Sequence, residues 1–196
     1  MLQEVHHRVK NNLQLISSLL NLQAARVEDK ATAERFLDSR NRVRSMAMVH
    51  ENLYRAGNFA RIDMASHIRN LCAHLSRAYE LSQLNVSLDV RVDDVQLDMN
   101  RAVACGMIVN ELVSNALKHA FPEGRHGHLS VQLVSDDERG CKLSVSDDGI
   151  GLSPDFSIEE ADSLGLQLVS DLARQLHASV RQDSDVGTSF VIHFKL

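Results

Sequence analysis

The sequence has few of the features that mark secreted, metal-binding or membrane-spanning proteins. Its cysteines are odd in number and widely spaced, at Cys72, Cys105 and Cys141. They form neither a disulfide framework nor a CxxC metal site, so we expect three inert core thiols in a reducing cytoplasm. No apolar run approaches the roughly 18 residues of a membrane span, and the N-terminus has no signal-peptide pattern. The histidines show no HExxH-type spacing, which argues against a zinc enzyme.

A strong excess of charge of one sign is absent as well. The net charge is -5 and the two signs are interspersed, which argues against nucleic-acid binding. With 196 residues, of which 44% are hydrophobic, the chain has room for a small helical module and one further domain.

The first 80 residues contain one glycine, Gly57, and no strand-like alternation. A seam in residues 2–26 advances by alternating steps of four and three, the heptad spacing of a bundle helix. A second helix is predicted over 31–56, after a polar turn at 27–30. Each helix of this hairpin would bury one stripe, so two hairpins paired in a four-helix bundle, hence a homodimer, would satisfy both. The seam consists of Leu2, His6, Val9, Leu13, Ile16 and Leu20.

Strand and helix patterns alternate irregularly after a predicted domain boundary at Gly57-Asn58. This order favours an α+β fold: a two-layer α/β sandwich with a mixed sheet rather than a doubly wound parallel one. Helices are predicted at about 62–80, 99–121 and 164–177, and strands at 84–98 (one or two), 128–134, 141–147, 179–184 and 189–194.

His6 and His7 are neighbours that a helix would point about 100° apart. His6 falls on the apolar seam, whereas His7 falls on a wholly polar face. An exposed, neutral imidazole can attack a phosphoryl group at pH 7. The alternative is an ordinary surface histidine. The polar face consists of Gln3, Glu4, Lys10, Asn11, Gln14 and Ser18.

The long predicted helix contains the polar motif NELVSNALKHAF at 110–121. Glu111 and Asn115 lie one turn apart, and Lys118 and His119 continue that side. A carboxylate and an amide oxygen can hold Mg²⁺, and a lysine can neutralise phosphate. The alternative is a solvated polar face.

Three glycine-containing segments follow in the order DDGIG (147–151), SLGLQLV (163–169) and GTSF (187–190). In the first, Asp147 could accept a hydrogen bond from an adenine amino group, and Gly149 and Gly151 let the backbone approach a ligand. In the second, Gly165 begins a helix whose free N–H groups would suit phosphate. Taken singly, DDGIG could be an ordinary turn and GTSF could be only a hairpin turn.

Residues 4–23, EVHHRVKNNLQLISSLLNLQ, resemble the phosphoacceptor helix of histidine kinases of the HWE type and their close relatives. Those families carry HRxxN, matched here by His7, Arg8 and Asn11. The resemblance implies that His7 is the phosphorylated residue. No acid follows His7, so the base that adjoins the histidine in orthodox kinases is missing.

In their order, the four later motifs resemble the Bergerat (GHKL) ATP-binding fold of the gyrase, chaperone, kinase and mismatch-repair superfamily. The resemblance implies that Asn115 coordinates Mg²⁺, that Asp147 recognises adenine, and that Gly149 and Gly151 shape the adenine pocket.

The same resemblance implies further nucleotide contacts. Lys118, with His119 beside it, would contact phosphate or ribose. The segment at Gly165 and Leu166 would cradle phosphates, and Thr188 would support the adenine side.

Glu111 stands where ATPases of the superfamily keep a water-activating glutamate. We expect it to bind Mg²⁺ with Asn115, and as a hypothesis it orients or deprotonates His7 in place of the missing base. The polar lid between Gly151 and Ser163 lacks a phenylalanine-rich box, although Phe156 could serve.

The resemblance covers nearly the whole chain: a dimerisation and phosphoacceptor hairpin at 1–57 and an ATP-binding domain at 58–196. It implies a sensor histidine kinase core that uses Mg-ATP and passes the phosphoryl group to the aspartate of a response-regulator receiver domain. A sensory domain is expected before Met1. The alternatives are a GHKL-type ATPase or serine kinase, or a non-catalytic histidine phosphotransfer protein.

Overall fold

The computed structural model describes residues 2–55, 61–81, 85–136, 140–153, 156–158, 163–183 and 186–195. The chain divides into two compact units, Met1–Phe59 and Ala60–Leu196, which we call the helical unit and the α/β unit. The predicted boundary at Gly57-Asn58 lies outside the described residues.

The helical unit is an antiparallel pair, α1 (Leu2–Arg26) and α2 (Lys30–Arg55). Asp29 caps the N-terminus of α2, because its side chain accepts a hydrogen bond from the N–H of Thr32 at 2.8 Å. The guanidinium of Arg40 on α2 donates to the amide oxygen of Asn21 on α1 at 2.7 Å.

The apolar residues of α1 divide into two stripes. Val9, Leu13 and Leu20 are half-buried, as the heptad seam predicts, but Ile16 of the same seam is exposed. A second stripe faces outward, with Leu15 61%, Leu19 53% and Leu22 55% exposed. The hairpin therefore leaves apolar surface that its own two helices do not cover.

The α/β unit begins with a two-residue strand, β1 (Ile62–Asp63), which pairs with β3 (Gln96–Leu97). The helix predicted from residue 62 therefore begins two residues later, as α3 (Met64–Ala78), because Asp63 caps it by accepting the N–H groups of Ala65 and Ser66.

A five-stranded mixed sheet forms one layer of this unit, in the order β2-β4-β5-β7-β6. The β2–β4 pair is parallel and the other pairs are antiparallel. The segment predicted as one or two strands at 84–98 is two, β2 and β3, in different sheets. The five strands are β2 (Val86–Val92), β4 (Gly127–Asp136), β5 (Gly140–Asp147), β6 (Ser179–Asp183) and β7 (Thr188–Phe194).

Helices α3, α4 (Met99–His119) and α5 (Leu164–Gln175) form the second layer. Alternate residues of the strands, including Leu129, Val131 and Ile192, are fully buried. Residues of the opposite face, such as Asp89 and Arg181 on the edge strands, are exposed. The predicted α+β class, a helical segment followed by a two-layer α/β sandwich, is confirmed.

The three cysteines are free and buried, as predicted. Burial raises the pKa of the Cys72 thiol to about 12, so it stays protonated and unreactive at neutral pH. Among the described residues, no helix is both long and apolar enough to cross a membrane.

Candidate functional site

A cavity of about 310 Å³ opens in the α/β unit, among α4, the loop after β5, the start of α5 and the start of β7. Most of its lining is apolar, and the polar side chains are few. The lining residues are Leu112, Asn115, Ala116, His119, Ala120, Val145, Asp147, Ile150, Gly151, Leu152, Phe156, Ser163, Leu166, Thr188 and Phe190.

Helix α4 supplies one wall through residues three or four positions apart: Leu112, Asn115, Ala116 and His119. Asp98 caps the N-terminus of this helix, because its side chain accepts hydrogen bonds from the N–H groups of the first turn. Asn115 and His119 therefore project into the same cavity from consecutive turns.

Asp147 ends strand β5 at the base of the cavity. Its Oδ1 accepts hydrogen bonds from the backbone N–H of Gly149 at 3.0 Å and of Thr188 at 3.2 Å. Within the described part of the chain, Oδ2 receives no hydrogen bond. One oxygen thus fixes the carboxylate, while the other is available to a ligand in the cavity.

Burial raises the pKa of the Asp147 carboxyl, and the two backbone hydrogen bonds partly oppose this shift. A half-buried carboxylate of this kind gains from a ligand that brings hydrogen-bond donors, because such donors replace the lost water.

Two glycines allow the loops beside Asp147 to come close. Gly149 lies against the end of α4, where a Cβ would overlap the Ala120 backbone, and the N–H of Ile150 donates to the Ala120 carbonyl at 3.0 Å. Gly187 has φ +70°, and a Cβ there would overlap the Asp147 carbonyl.

Helix α5 reaches the cavity with its N-terminus. Ser163 caps the helix by accepting the N–H of Leu166 at 3.4 Å, and both side chains line the cavity. Gly165 is buried in this first turn. The turn directs backbone N–H groups and the positive end of the helix dipole to one side of the cavity.

The structure therefore brings most of the predicted site residues together. Those that line the cavity are Asn115, His119, Asp147, Gly151, Leu166 and Thr188. Gly149 and Gly165 lie behind the lining, in the backbone that supports Asp147 and Leu166. Lys118 is exposed and does not line the cavity. The roles assigned to all of these residues remain predictions.

Glu111 does not line the cavity either. It is only 3% exposed, and the Asn110 side-chain amide donates to its Oε1 at 3.4 Å. Among the described residues, no group of three or more His, Cys, Asp and Glu is placed to hold a metal ion. The predicted roles of Glu111, in Mg²⁺ binding and in activating His7, stay predictions.

His6 and His7 belong to α1, but their side chains lie outside the described part of the structure. The choice between them therefore rests on helical phase and on the HRxxN motif.

The apolar wall was not predicted as part of the site, although its signals were available. Leu112 and Ala116 share the helical face of Asn115, and Val145 and Phe190 lie two residues from Asp147 and Thr188 on their strands. Ile150 and Leu152 fall in the loop, where no periodicity marks them.

Two family models match the chain. The model described as "Histidine kinase" matches residues 4–79. The model described as "Histidine kinase-, DNA gyrase B-, and HSP90-like ATPase" matches residues 100–196. The fold and the cavity thus define an ATP-binding α/β sandwich of the kinase, gyrase and HSP90 class.

Two relatives of the chain are histidine kinases. The sensor histidine kinase PdtaS of Mycobacterium tuberculosis is 36% identical over 200 residues, which cover 97% of this chain and 38% of the relative. The blue-light-activated histidine kinase 2 of Erythrobacter litoralis is 27% identical over 91% of this chain and 52% of its own. The chain therefore spans between a third and about half of the length of these relatives.

A solved structure supports the fold over the same extent. The histidine kinase domain of the EL346 blue-light-activated histidine kinase from Erythrobacter litoralis matches with a TM-score of 0.73 at 24% identity, over 100% of this chain and 93% of that chain. By its two family models and its relatives, the chain belongs to the histidine kinases.

Proposed function

We propose that this chain is a histidine kinase core that transfers the γ-phosphoryl group of Mg-ATP to His7. The observation that carries the proposal is Asp147, whose Oδ1 is fixed by two backbone N–H groups while Oδ2 is left for a ligand in a largely apolar cavity. Adenine fits this chemistry, because it is a flat apolar ring system with an amino donor at its edge. Its polyphosphate would extend toward the N-terminus of α5.

Asn115 supplies the oxygen that Mg²⁺ would need from this chain. Its side chain lines the cavity from α4, one turn before His119. Mg²⁺ is commonly bound by one or two protein oxygens together with substrate phosphates and waters, so a single amide in the cavity fits the ion. When bound, Mg²⁺ neutralises the charge that develops on the phosphates during transfer.

His7 would act as the nucleophile. A lone pair of its neutral imidazole attacks the γ-phosphorus as the bond between that phosphorus and the bridging oxygen of ADP breaks, and ADP leaves with those electrons. The proton on the other ring nitrogen is the one that a base would stabilise or accept.

We propose Glu111 for that role, since no acid follows His7 in the sequence. Glu111→Gln keeps the shape of the side chain and its contact with the Asn110 amide, but removes the negative charge. We expect the rate of histidine phosphorylation to fall about 100-fold, within the range of general-base effects, with ATP affinity unchanged. Labelling at the wild-type rate would remove Glu111 from the mechanism.

The phosphohistidine would then donate to an aspartate of a response-regulator receiver domain. A phosphorus–nitrogen bond of this kind is labile, which suits an intermediate that passes its phosphoryl group on. The helical unit offers the donor on a helix, and the acceptor carboxylate would come from the partner.

A homodimer would cover the exposed apolar residues of α1, which are Ile16 of the seam and the outward stripe of Leu15, Leu19 and Leu22. These side chains are between 44% and 61% exposed. A second hairpin with the same stripe would bury both in a four-helix bundle, the arrangement that the heptad spacing predicts.

The chemical stability of the phosphorylated product tests the proposal. The purified chain is incubated with γ-labelled ATP and Mg²⁺, and the protein-bound label is then exposed to acid and to base. We expect label that is lost in acid and kept in base, as for phosphohistidine. Acid-stable label would indicate a serine kinase, hydrolysis without label an ATPase, and absence of ATP binding a phosphotransfer protein.

A further inference from the structure

We propose that Gln182 is a positioning residue for the nucleotide cavity: its side-chain amide holds the backbone of Phe156, and with it the aromatic ring that forms part of the cavity wall. The inference rests on the proposed function, because it takes the cavity to be the ATP site. It concerns how the wall is kept in place, and Gln182 itself does not line the cavity.

Phe156 lies between β5 and α5 in the chain, outside every described helix and strand. The described residues 151–153 and 156–158 contain no α-helix and no strand. The N–H of Phe156 donates to the Ser153 carbonyl at 2.9 Å, and Ile158 is buried. The Phe156 side chain is half-buried and lines the cavity.

Gln182 lies on β6, the edge strand that pairs with β7. Its backbone partner on β7 is Phe190, which also lines the cavity. Alternation along β6 leaves Gln182 half-buried while its neighbours Arg181 and Asp183 are exposed on the other face.

A part-buried hydrogen bond joins the two segments. The side-chain Nε2 of Gln182 donates to the main-chain carbonyl of Phe156 at 3.4 Å. The donor is on a strand of the sheet, whereas the acceptor lies outside the described helices and strands. The hydrogen bond therefore restricts the position of the Phe156 backbone relative to the sheet. Gln182 therefore links Phe156 to the position on the sheet where Gln182 pairs with Phe190, the second of these two aromatic residues of the cavity wall.

The consequence for binding follows from conformational entropy. Without this hydrogen bond, Phe156 would sample more conformations, and ATP could bind well only to the fraction in which the Phe156 ring is part of the cavity wall. The affinity for ATP would fall by that fraction. One neutral hydrogen bond of ordinary strength corresponds to a change of about threefold to tenfold. Once ATP is bound at saturation, the wall is formed, so the maximum rate of phosphoryl transfer should not change.

The experiment compares Gln182→Leu with Arg181→Leu in the full chain. The first removes the donor with a side chain of similar size, and the second changes an exposed residue of the same strand on the opposite face. We expect Gln182→Leu to raise the Kd and KM for Mg-ATP by about threefold to tenfold, with the labelling rate at saturating ATP within about twofold of the wild type. Arg181→Leu should leave the Kd unchanged.

Amide hydrogen exchange gives a second readout that loss of strand stability would not imitate. In Gln182→Leu the Phe156 amide should exchange faster while the amides of β7 keep their protection. Gln182→Glu keeps the shape of the side chain but loses the Nε2 donor. It therefore tests the same hydrogen bond if the leucine variant does not fold.

Three results would overturn the inference: wild-type affinity in the Gln182 variants, an equal change in Arg181→Leu, or a loss confined to the maximum rate. These differ from failure of the proposed function, in which the wild-type chain itself would not bind Mg-ATP and both claims would fall.

Discussion

The helical unit and the α/β unit differ in how far their apolar residues are buried. In the α/β unit, sheet residues such as Leu129, Val131 and Ile192 are fully buried beneath three helices. In the helical unit, Leu15 and Leu19 on α1 are more than half exposed. A domain with its own core can fold alone, whereas a two-helix hairpin with an uncovered apolar stripe needs a partner surface.

The two units also differ in the kind of chemistry that they offer. The α/β unit has a preformed cavity with a fixed carboxylate, which suits binding. The helical unit carries the histidine pair on a helix, which suits a group that must be reached by other molecules. Nucleotide binding can therefore be tested apart from phosphoryl acceptance, and folding apart from association.

The largest expected effect is on the nucleotide cavity. In Asp147→Asn, the amide oxygen can still accept hydrogen bonds from Gly149 and Thr188, but an NH₂ group replaces Oδ2. That donor would face the adenine amino group, so we expect the affinity for ATP to fall about a thousandfold. Isothermal titration calorimetry measures the change.

Stability should not fall in the same variant. Burial raises the pKa of the Asp147 carboxyl, so its ionised form carries a desolvation cost at neutral pH that the amide avoids. Asp148→Asn is the matched control, because Asp148 is exposed and its Oδ1 accepts the N–H of His128, as an amide oxygen could. ATP binding that persists in Asp147→Asn would refute its role.

A second prediction concerns acid stability of the α/β unit. His67 on α3 is 4% exposed, and neither ring nitrogen has a hydrogen-bond partner among the residues that the structure describes. Burial lowers its pKa from 6.5 to about 4. The unfolded chain therefore binds the proton more readily than the folded chain, and the free energy of unfolding should fall by about 3 kcal/mol as pH drops from about 6.5 to about 4.

His67→Leu should remove this part of the pH dependence, and it should not destabilise the protein at pH 7.5, because it deletes two unpaired buried nitrogens. Urea unfolding followed by circular dichroism between pH 4 and 7.5 measures the slope. His126→Gln changes an exposed histidine and should keep the wild-type slope. The same slope in His67→Leu would mean that His67 does not titrate as described.

The smallest effect is expected on association. Leu19→Lys places a charge in the exposed stripe of α1, and we expect the dissociation constant of the dimer to rise at least about tenfold by loss of apolar burial. Gln14→Lys adds the same charge at an exposed position outside the stripe. Analytical ultracentrifugation distinguishes the two. A wild-type chain that is monomeric at all concentrations would contradict the predicted four-helix bundle.

Features with a strong local pattern were predictable from the sequence. The heptad seam indicated α1, and the motif around Asn115 lies on the predicted helix, in phase with the cavity. Asp147 is the last residue of a strand whose alternation is plain in the sequence. In each case the local pattern and the tertiary environment favour the same structure.

Features made by contacts between distant segments were not predictable from the sequence. The β1–β3 pair consists of two-residue strands, too short to show any periodicity. The outward stripe of α1 was missed because leucines occur on two of its faces, so spacing alone did not say which one would remain uncovered. The tie between Gln182 and Phe156 joins residues 26 positions apart, and no local pattern indicates it.

The most direct test of the account is the identity of the phosphorylated residue. The wild-type chain, His7→Ala and His6→Ala are incubated with γ-labelled Mg-ATP, and ATP binding is measured in parallel. We expect His7→Ala to bind ATP normally and to lose the acid-labile label, while His6→Ala keeps it. Acid-labile label that survives in His7→Ala would contradict the assignment of His7 as the phosphoacceptor.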